Sequence, residues 1–144
     1  MNTYEINEVG VQIFERWASE AGFDVQTSRS ARVAIDGDES KLAIVKATTA
    51  SGFRVVRPEC DSGALIQVRI GEEDGGSNPR TEIVVIDVHT AWGLPAMCRS
   101  FDPSVHDQFN WARRTKRLDR ILGPLTARTP LELGDLLAAV RSST

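Results

Sequence analysis

Cysteine is scarce in this 144-residue chain, which contains only Cys60 and Cys98. The two are far apart in sequence and belong to no Cys-x-x-Cys or Cys/His cluster, so zinc-ligand spacing is absent. No apolar run approaches the ~20 residues that a membrane-spanning helix requires. The first ten residues have neither the basic nor the apolar stretch of a secretory signal. We therefore expect a cytoplasmic protein with reduced cysteines and no contact with a membrane.

The common sequence motifs of cofactor binding and nucleophilic catalysis are also missing. The chain contains no GxGxxG, P-loop, GxSxG or HExxH pattern. We therefore expect no cofactor, and a non-enzymatic role is favoured over a catalytic one.

The composition is that of one ordinary globular domain, with 41% hydrophobic and 26% charged residues. A single domain over residues 1–144 is predicted. The charge is unevenly placed: residues 1–98 carry 9 basic and 15 acidic side chains, whereas residues 99–144 carry 8 basic and 5 acidic ones. The C-terminal third is therefore the basic part of an acidic protein.

Hydrophobic periodicity predicts an α+β fold. Apolar residues recur at helical spacing from Ile6 to Ala21, and Gly22 is the expected C-terminal cap of that helix. From Phe23 onward the period is two, in six short runs separated by turn-rich segments: "FDVQTS", "ARVAI", "KLAIVKAT", "FRVVR", "ALIQVRI" and "TEIVVIDVH". Such short connections favour a five- to six-stranded antiparallel meander. The last run is consecutively apolar, which predicts a strand covered on both faces.

Two C-terminal helices are predicted to pack on one face of this sheet. The first begins at Asp102-Pro103 and extends to about Leu122, although its poor apolar register suggests a bend or two pieces. The second has Thr129 as N-cap, Glu132 completing a capping box, and a leucine-rich face.

The pair Asp87 and His89 carries the alternative, enzymatic hypothesis. On a strand the two side chains share one face, where they could ligate a metal or orient a base. A metal-dependent hydrolase would need further ligands, such as His106 with Asp107, or Asp36 and Asp38. The segment "ESK", Glu39 to Lys41, after Asp36 and Asp38, resembles the ExK part of PD-(D/E)xK nucleases, but the acids crowd one turn and Asp36-Gly-Asp38 is more simply a hairpin connection.

Three segments are candidate surfaces for binding another protein. They are the acidic loop with Glu72, Glu73 and Asp74, the apolar loop around Trp92, and the basic segment with Trp111, Arg113, Arg114 and Arg117. The basic segment, continuing to Arg120, could instead bind nucleic acid, but the pI near 5.4 argues against that. It could also pair with acidic groups of its own chain.

The stretch "FERWASEAGFDV", residues 14–25, resembles small immunity proteins of actinobacterial polymorphic-toxin systems. Among these the nearest likeness is to inhibitors of necrotizing, NAD-degrading toxins. The resemblance covers about the first third of the chain by local motif and the remainder by the order of elements. It implies a non-enzymatic inhibitor that occupies the active-site cleft of a toxin domain.

Overall fold

The computed structural model describes residues 2–27, 32–35, 38–50, 52–58, 63–71 and 80–142. Within these ranges the chain is α+β, as predicted. The helices are α1 Thr3–Glu20, α2 Val88–Gly93, α3 Lys116–Leu122 and α4 Pro130–Ser142. The strands are β1 Val25–Thr27, β2 Arg32–Ile35, β3 Asp38–Thr48, β4 Phe53–Val56, β5 Ala64–Arg69, β6 Glu82–Asp87, β7 Gln108–Trp111 and β8 Thr126–Ala127.

Helix α1 forms where the periodicity predicts it. Its N-cap is Asn2, whose side chain accepts a hydrogen bond from the backbone N of Glu5 at 2.9 Å. The helix ends before Gly22, which has a φ of 92° and so adopts the left-handed conformation that glycine tolerates best. Phe14 and Trp17 lie on the buried stripe of this helix. The predicted helix and its glycine cap are confirmed.

The predicted antiparallel meander is wrong, although all six predicted strands are present. The sheet has the order β1-β2-β3-β5-β6-β8, and β3 pairs with β5 in parallel. Strand β4, which lies between them in sequence, leaves the sheet and pairs antiparallel with β7 in a separate ribbon. Because the chain passes through β4 before it returns, β3 and β5 run in the same direction.

A buried side chain attaches the ribbon to the sheet. Gln67, in the middle of β5, accepts a hydrogen bond at Oε1 from the backbone N of Arg54 at 2.8 Å. Its Nε2 donates to the carbonyl of Gly52 at 3.1 Å. Position 52 requires glycine because a Cβ there would collide with the backbone carbonyl of Trp111. The side-chain amide of Gln67 therefore satisfies two backbone groups at the start of β4, which has no strand-to-strand pairing with β5.

Strands β5 and β6 are buried on both faces, as predicted for "TEIVVIDVH". Alternate residues of the two strands enter two separate clusters. Ile66 and Ile83 pack with α1 and α4, whereas Leu65 and Val84 pack with the ribbon, α2 and α3. The helices therefore cover both faces of the sheet, so the expectation that they occupy one face is wrong.

The helix predicted from Asp102-Pro103 to about Leu122 is also wrong in its first half. Residues 108–111 form β7, in which Phe109 and Trp111 pair with Val55 and Phe53 of β4. Only α3 is helical, with Thr115 as N-cap accepting from the backbone N of Leu118. The tertiary partner of this segment therefore overrides its local helical signals.

Helix α4 begins as predicted. The hydroxyl of Thr129 accepts from the backbone N of Glu132 at 3.2 Å, and Leu133 and Leu137 enter the cluster that contains α1. In the part of the chain that the structure describes, no helix combines the length and hydrophobicity needed to cross a bilayer.

Candidate partner-binding surface

Asp87 and His89 do not share a strand face, because α2 begins directly after Asp87. The carboxylate of Asp87 accepts hydrogen bonds from the backbone N of His89 at 3.1 Å and of Thr90 at 2.9 Å. The hydroxyl of Thr90 donates to the same oxygen. Asp87 is therefore the N-cap of α2, and the expectation that the pair lies on one strand face is wrong.

Among the residues that the structure describes, the other members of the metal hypothesis do not complete a site with Asp87 and His89 either. His106 places its Nδ1 2.9 Å from the backbone oxygen of Asp102, in a local turn. Asp36 lies outside the described residues, and Asp38 begins β3 opposite Ile35 of β2, an antiparallel register. Within the described ranges, no three histidine, cysteine or acidic residues are close enough to hold a metal ion. The metal-dependent hydrolase therefore stays an untested alternative without a metal site among the described residues.

A row of aromatic side chains connects the core to the surface around Trp92. We call it the aromatic row; its members are Phe53, Trp92, Phe101, His106, Phe109 and Trp111. The row runs from Trp92 at the surface towards the core. The ring centroids of Trp92 and Phe101 are 5.1 Å apart, those of Phe101 and Phe109 are 5.5 Å apart, and those of Phe109 and Trp111 are 4.7 Å apart, all in edge-to-face contact. Edge-to-face contacts at these distances are favourable for the ring quadrupoles.

Arg57, directly after β4, contacts the outer end of the aromatic row and holds it in place. Its guanidinium carbon lies 5.5 Å from the centre of the Trp92 ring. Its Nη2 donates to the carbonyls of Pro103 and His106, and its Nε lies 3.4 Å from the carboxylate of Asp107. One arginine therefore joins the Trp92 helix to the loop that carries Phe101 and His106.

The loop between Phe101 and Phe109 has its own hydrogen bonds. Asp102 Oδ1 accepts from the hydroxyl of Ser104 at 2.7 Å and from its backbone N at 2.9 Å. These hydrogen bonds stabilise the carboxylate and hold the pKa of Asp102 below its ordinary value of 3.8, with a smaller contribution from nearby His106. At the tip of this loop Val105 is a large apolar side chain exposed to solvent.

The predicted partner-binding residues fall into three groups. Trp92 is half-buried at the surface, and Arg113 and Arg117 are exposed. Trp111 and Arg114, in contrast, are directed into the protein, where Trp111 packs in the core and Arg114 pairs with Glu82. The acidic residues Glu72, Glu73 and Asp74 lie outside the described residues. The expected helix from Arg113 to Arg120 starts only at Lys116.

Sequence inspection did not identify Phe53, Phe101 and Phe109 of the aromatic row as site residues, nor Arg57 beside it. Phe101 lies in a segment without regular periodicity, and Arg57 follows a strand with nothing in its sequence to distinguish it. The spacing of Phe109 and Trp111, two residues apart, was the available signal, because it is the period of a strand.

No known protein family, curated protein or solved structure matches this chain. The surface must therefore be interpreted from its own chemistry.

Proposed function

We propose that the chain is a non-enzymatic protein-binding module, of the immunity-protein kind, that inhibits a toxin domain by covering it with the surface around Trp92. The observation that carries this proposal is the aromatic row itself. Tryptophan and arginine are the residues most enriched among energetic hot spots of protein interfaces, and here Trp92 and Arg57 lie against each other.

The construction of the surface also supports binding by a preformed anchor. The ring of Trp92 is held by Phe101 on one side and by Arg57 on another, and Phe101 continues inward through Phe109. Side chains that are already ordered lose little conformational entropy when a partner binds. Val105, on the loop that carries Phe101, is a further exposed apolar side chain, and the exposed Arg113 and Arg117 would raise the rate of association with an acidic partner.

The motif that resembles immunity proteins contributes less to this proposal than the surface does. Phe14, Trp17 and Ala18 of that motif are all buried against the sheet. They pack in the core cluster and contribute to the packing of α1 on the sheet, so they are not placed on the surface around Trp92.

The experiment pairs this chain with the product of the gene encoded beside its own, the arrangement expected for a toxin and its inhibitor. We expect the purified proteins to form a complex and co-expression to suppress the toxicity of the neighbouring product. Trp92→Ala should weaken the complex by about thirtyfold or more, the effect of losing one hot-spot side chain. Arg57→Ala should weaken the complex as well, because the Trp92 ring then loses its cation–π contact with the guanidinium.

Tyr4→Ala is the matched control, since Tyr4 is an exposed aromatic residue on α1 outside the aromatic row. It should bind as the wild type does. Absence of a complex would contradict the proposed function. Equal affinities of Trp92→Ala and Tyr4→Ala would exclude the surface around Trp92 as the binding surface. Circular dichroism of each variant separates a loss of binding from a loss of folding.

A further inference from the structure

A groove of about 350 Å³ opens beside the start of β4, where the ribbon leaves the sheet. The N-terminal end of α1, the end of β3, the middle of β5 and the end of β7 border it. Arg57 and Trp92 contact each other beyond the opposite end of β4, and neither of them lines the groove. A ligand in this groove is therefore independent of the proposed function.

A buried side-chain amide, that of Gln67, lines the groove with hydrogen-bonding capacity to spare. Gln67 is only 2% exposed. Its amide has two N–H donors and an oxygen with two lone pairs. In the described structure it uses one donor on the carbonyl of Gly52 and one lone pair on the backbone N of Arg54. A polar ligand can therefore accept from the second N–H without displacing the ribbon.

Two cationic side chains, Lys46 and Arg54, line the same groove. Lys46 and Gln67 are register partners on β3 and β5, so their side chains leave the sheet on the same face. Arg54 lies next to them, since its backbone N is 2.8 Å from Oε1 of Gln67. Both cations are half-buried.

The positive charge of the groove has no counter-charge in the part of the chain that the structure describes. None of the described lining residues is acidic, and neither Lys46 nor Arg54 forms an ion pair with a described carboxylate. The guanidinium of Arg54 donates to Oε1 of Gln108, a neutral oxygen that leaves its charge uncompensated. Two like charges that share a groove repel each other, and an anion between them offsets that repulsion.

We infer that this region, the Gln67 groove, binds a small organic anion through carboxylate or phosphate oxygens. Ammonium and guanidinium groups form charge-assisted hydrogen bonds with such oxygens. Thr3, in the first turn of α1, lies at the groove where the helix dipole is positive. Phe53 and Trp111 add an apolar wall for the carbon part of the ligand. The volume is at the lower end of the range of small-molecule pockets, about 300–1,000 Å³, so the ligand is small.

The test uses phenyl phosphate and benzoate as probes and the full chain as the protein. Thermal unfolding is followed during titration with each anion, with benzyl alcohol as the uncharged ring and with chloride at the same ionic strength. We expect both anions to raise the midpoint in a saturable manner that neither benzyl alcohol nor chloride reproduces. The absence of a saturable rise with either anion overturns the inference.

The two probes also distinguish the possible sources of the anion. A phosphate monoester carries a charge of about -1.5 to -2 at pH 7, more than one carboxylate carries. Tighter binding of phenyl phosphate supports the inference and identifies a phosphate ester as the ligand class. Equal or tighter binding of benzoate supports it and identifies a carboxylate.

Matched variants locate the binding. Lys46→Gln and Arg54→Gln each remove one cation of the groove and should weaken the binding of phenyl phosphate by about tenfold or more, the loss expected for one charge-assisted contact. Lys116→Gln and Arg120→Gln remove the same two kinds of charge from exposed positions on α3 and should bind as the wild type does. Equal losses in the two sets of variants overturn the inference.

A readout without any variant is the NMR signal of the side-chain amide of Gln67. Its two Nε2–H resonances should shift during titration with phenyl phosphate, because the anion accepts from one of them. The amide of Gln26, exposed on β1 at the far edge of the sheet, should not shift. Stabilisation by the anion with unchanged Gln67 resonances would place the binding elsewhere and overturn the inference.

Discussion

The two faces of the central sheet are built from different chemistry. On one face, α1 and α4 pack a large cluster of apolar side chains onto the sheet, with Phe14, Leu133 and Leu137 fully buried. On the other face, the β4–β7 ribbon, α2 and α3 cover apolar residues together with buried Gln67 and Glu82. Strands β5 and β6 contribute alternate side chains to both.

The difference between the faces separates stability from specificity. Apolar burial is favourable whatever the direction of the contact, so the α1/α4 face needs only shape and volume. A buried polar group needs a partner at defined geometry, and Gln67 and Glu82 each have one or more. The ribbon face is therefore the one on which the position of polar groups matters, and it carries the aromatic row and a charged cluster in which Glu82 pairs with Arg69 and Arg114.

The largest effect should come from removing a side chain of the apolar face. Phe14→Ala deletes a ring with no solvent exposure and should lower the free energy of unfolding by about 3–5 kcal/mol. Urea denaturation measures the change. Tyr4→Ala, on the exposed side of the same helix, should change it by no more than about 0.5 kcal/mol. A loss below about 1 kcal/mol for Phe14→Ala would mean that α1 is not essential to this face.

The next largest effect should come from the charged cluster on the ribbon face. Glu82→Gln removes the only carboxylate that contacts both Arg69 and Arg114 in the described structure, leaving two largely buried cations unpaired. We expect a loss of about 3 kcal/mol, again by urea denaturation. Glu8→Gln, an exposed position on α1, is the control. Equal stability of the two variants would show that Glu82 is dispensable to this face.

A smaller effect tests how closely α1 approaches the sheet. A Cβ at Gly10 would overlap the Cβ of Ala47 on β3, so Gly10→Ala should destabilise the fold. Overpacking costs about 1–3 kcal/mol, against which the better helix propensity of alanine recovers up to about 1 kcal/mol. Gly93→Ala, in α2, meets no atom within 4 Å and should be neutral or stabilising. If both substitutions stabilise, α1 can move away from β3 without loss.

The smallest effect concerns the outer loop of the ribbon face. The folded pKa of Asp102 is lowered, so any stability it contributes is present above pH 3.8 and is lost as the pH falls through the lower, folded value. Ser104→Ala removes the hydroxyl donor, the largest cause, and should raise the pKa of Asp102 towards 3.8. Carbon-detected NMR titration of the carboxyl group measures it. An unchanged midpoint would assign the shift to the backbone of residue 104 or to His106.

Much of the fold follows from patterns that are local in sequence. Period-two runs place all six strands from β1 to β6, and the apolar run in "TEIVVIDVH" identifies the strand buried on both faces. Gly22 and Thr129 are at the ends of α1 and α4 because capping depends on a few neighbouring residues. In the candidate site, Trp92 was predicted because the loop around it has the composition that protein interfaces favour, and its role in binding stays a prediction.

Strand partners could not be predicted in the same way. The pattern of β4 is the same whether it pairs with β3 or with β7, because alternation specifies faces and not neighbours. Phe53 pairs with Trp111, which is far along the chain, and only the packing of both rings onto the sheet selects that pairing. The short connections around β4 pointed to hairpins that the structure does not form.

The sequence by itself determined where α1 ends and α4 begins, where the first six strands lie, which strand is buried on both sides, and that the chain is α+β. Those features depend on the side chains of neighbouring residues. Only the tertiary structure decided that Trp111 and Arg114 point inward, that Asp87 caps a helix, and that Arg57 meets Trp92. Those contacts join residues that are distant in sequence or depend on where an element turns, so no local pattern encodes them.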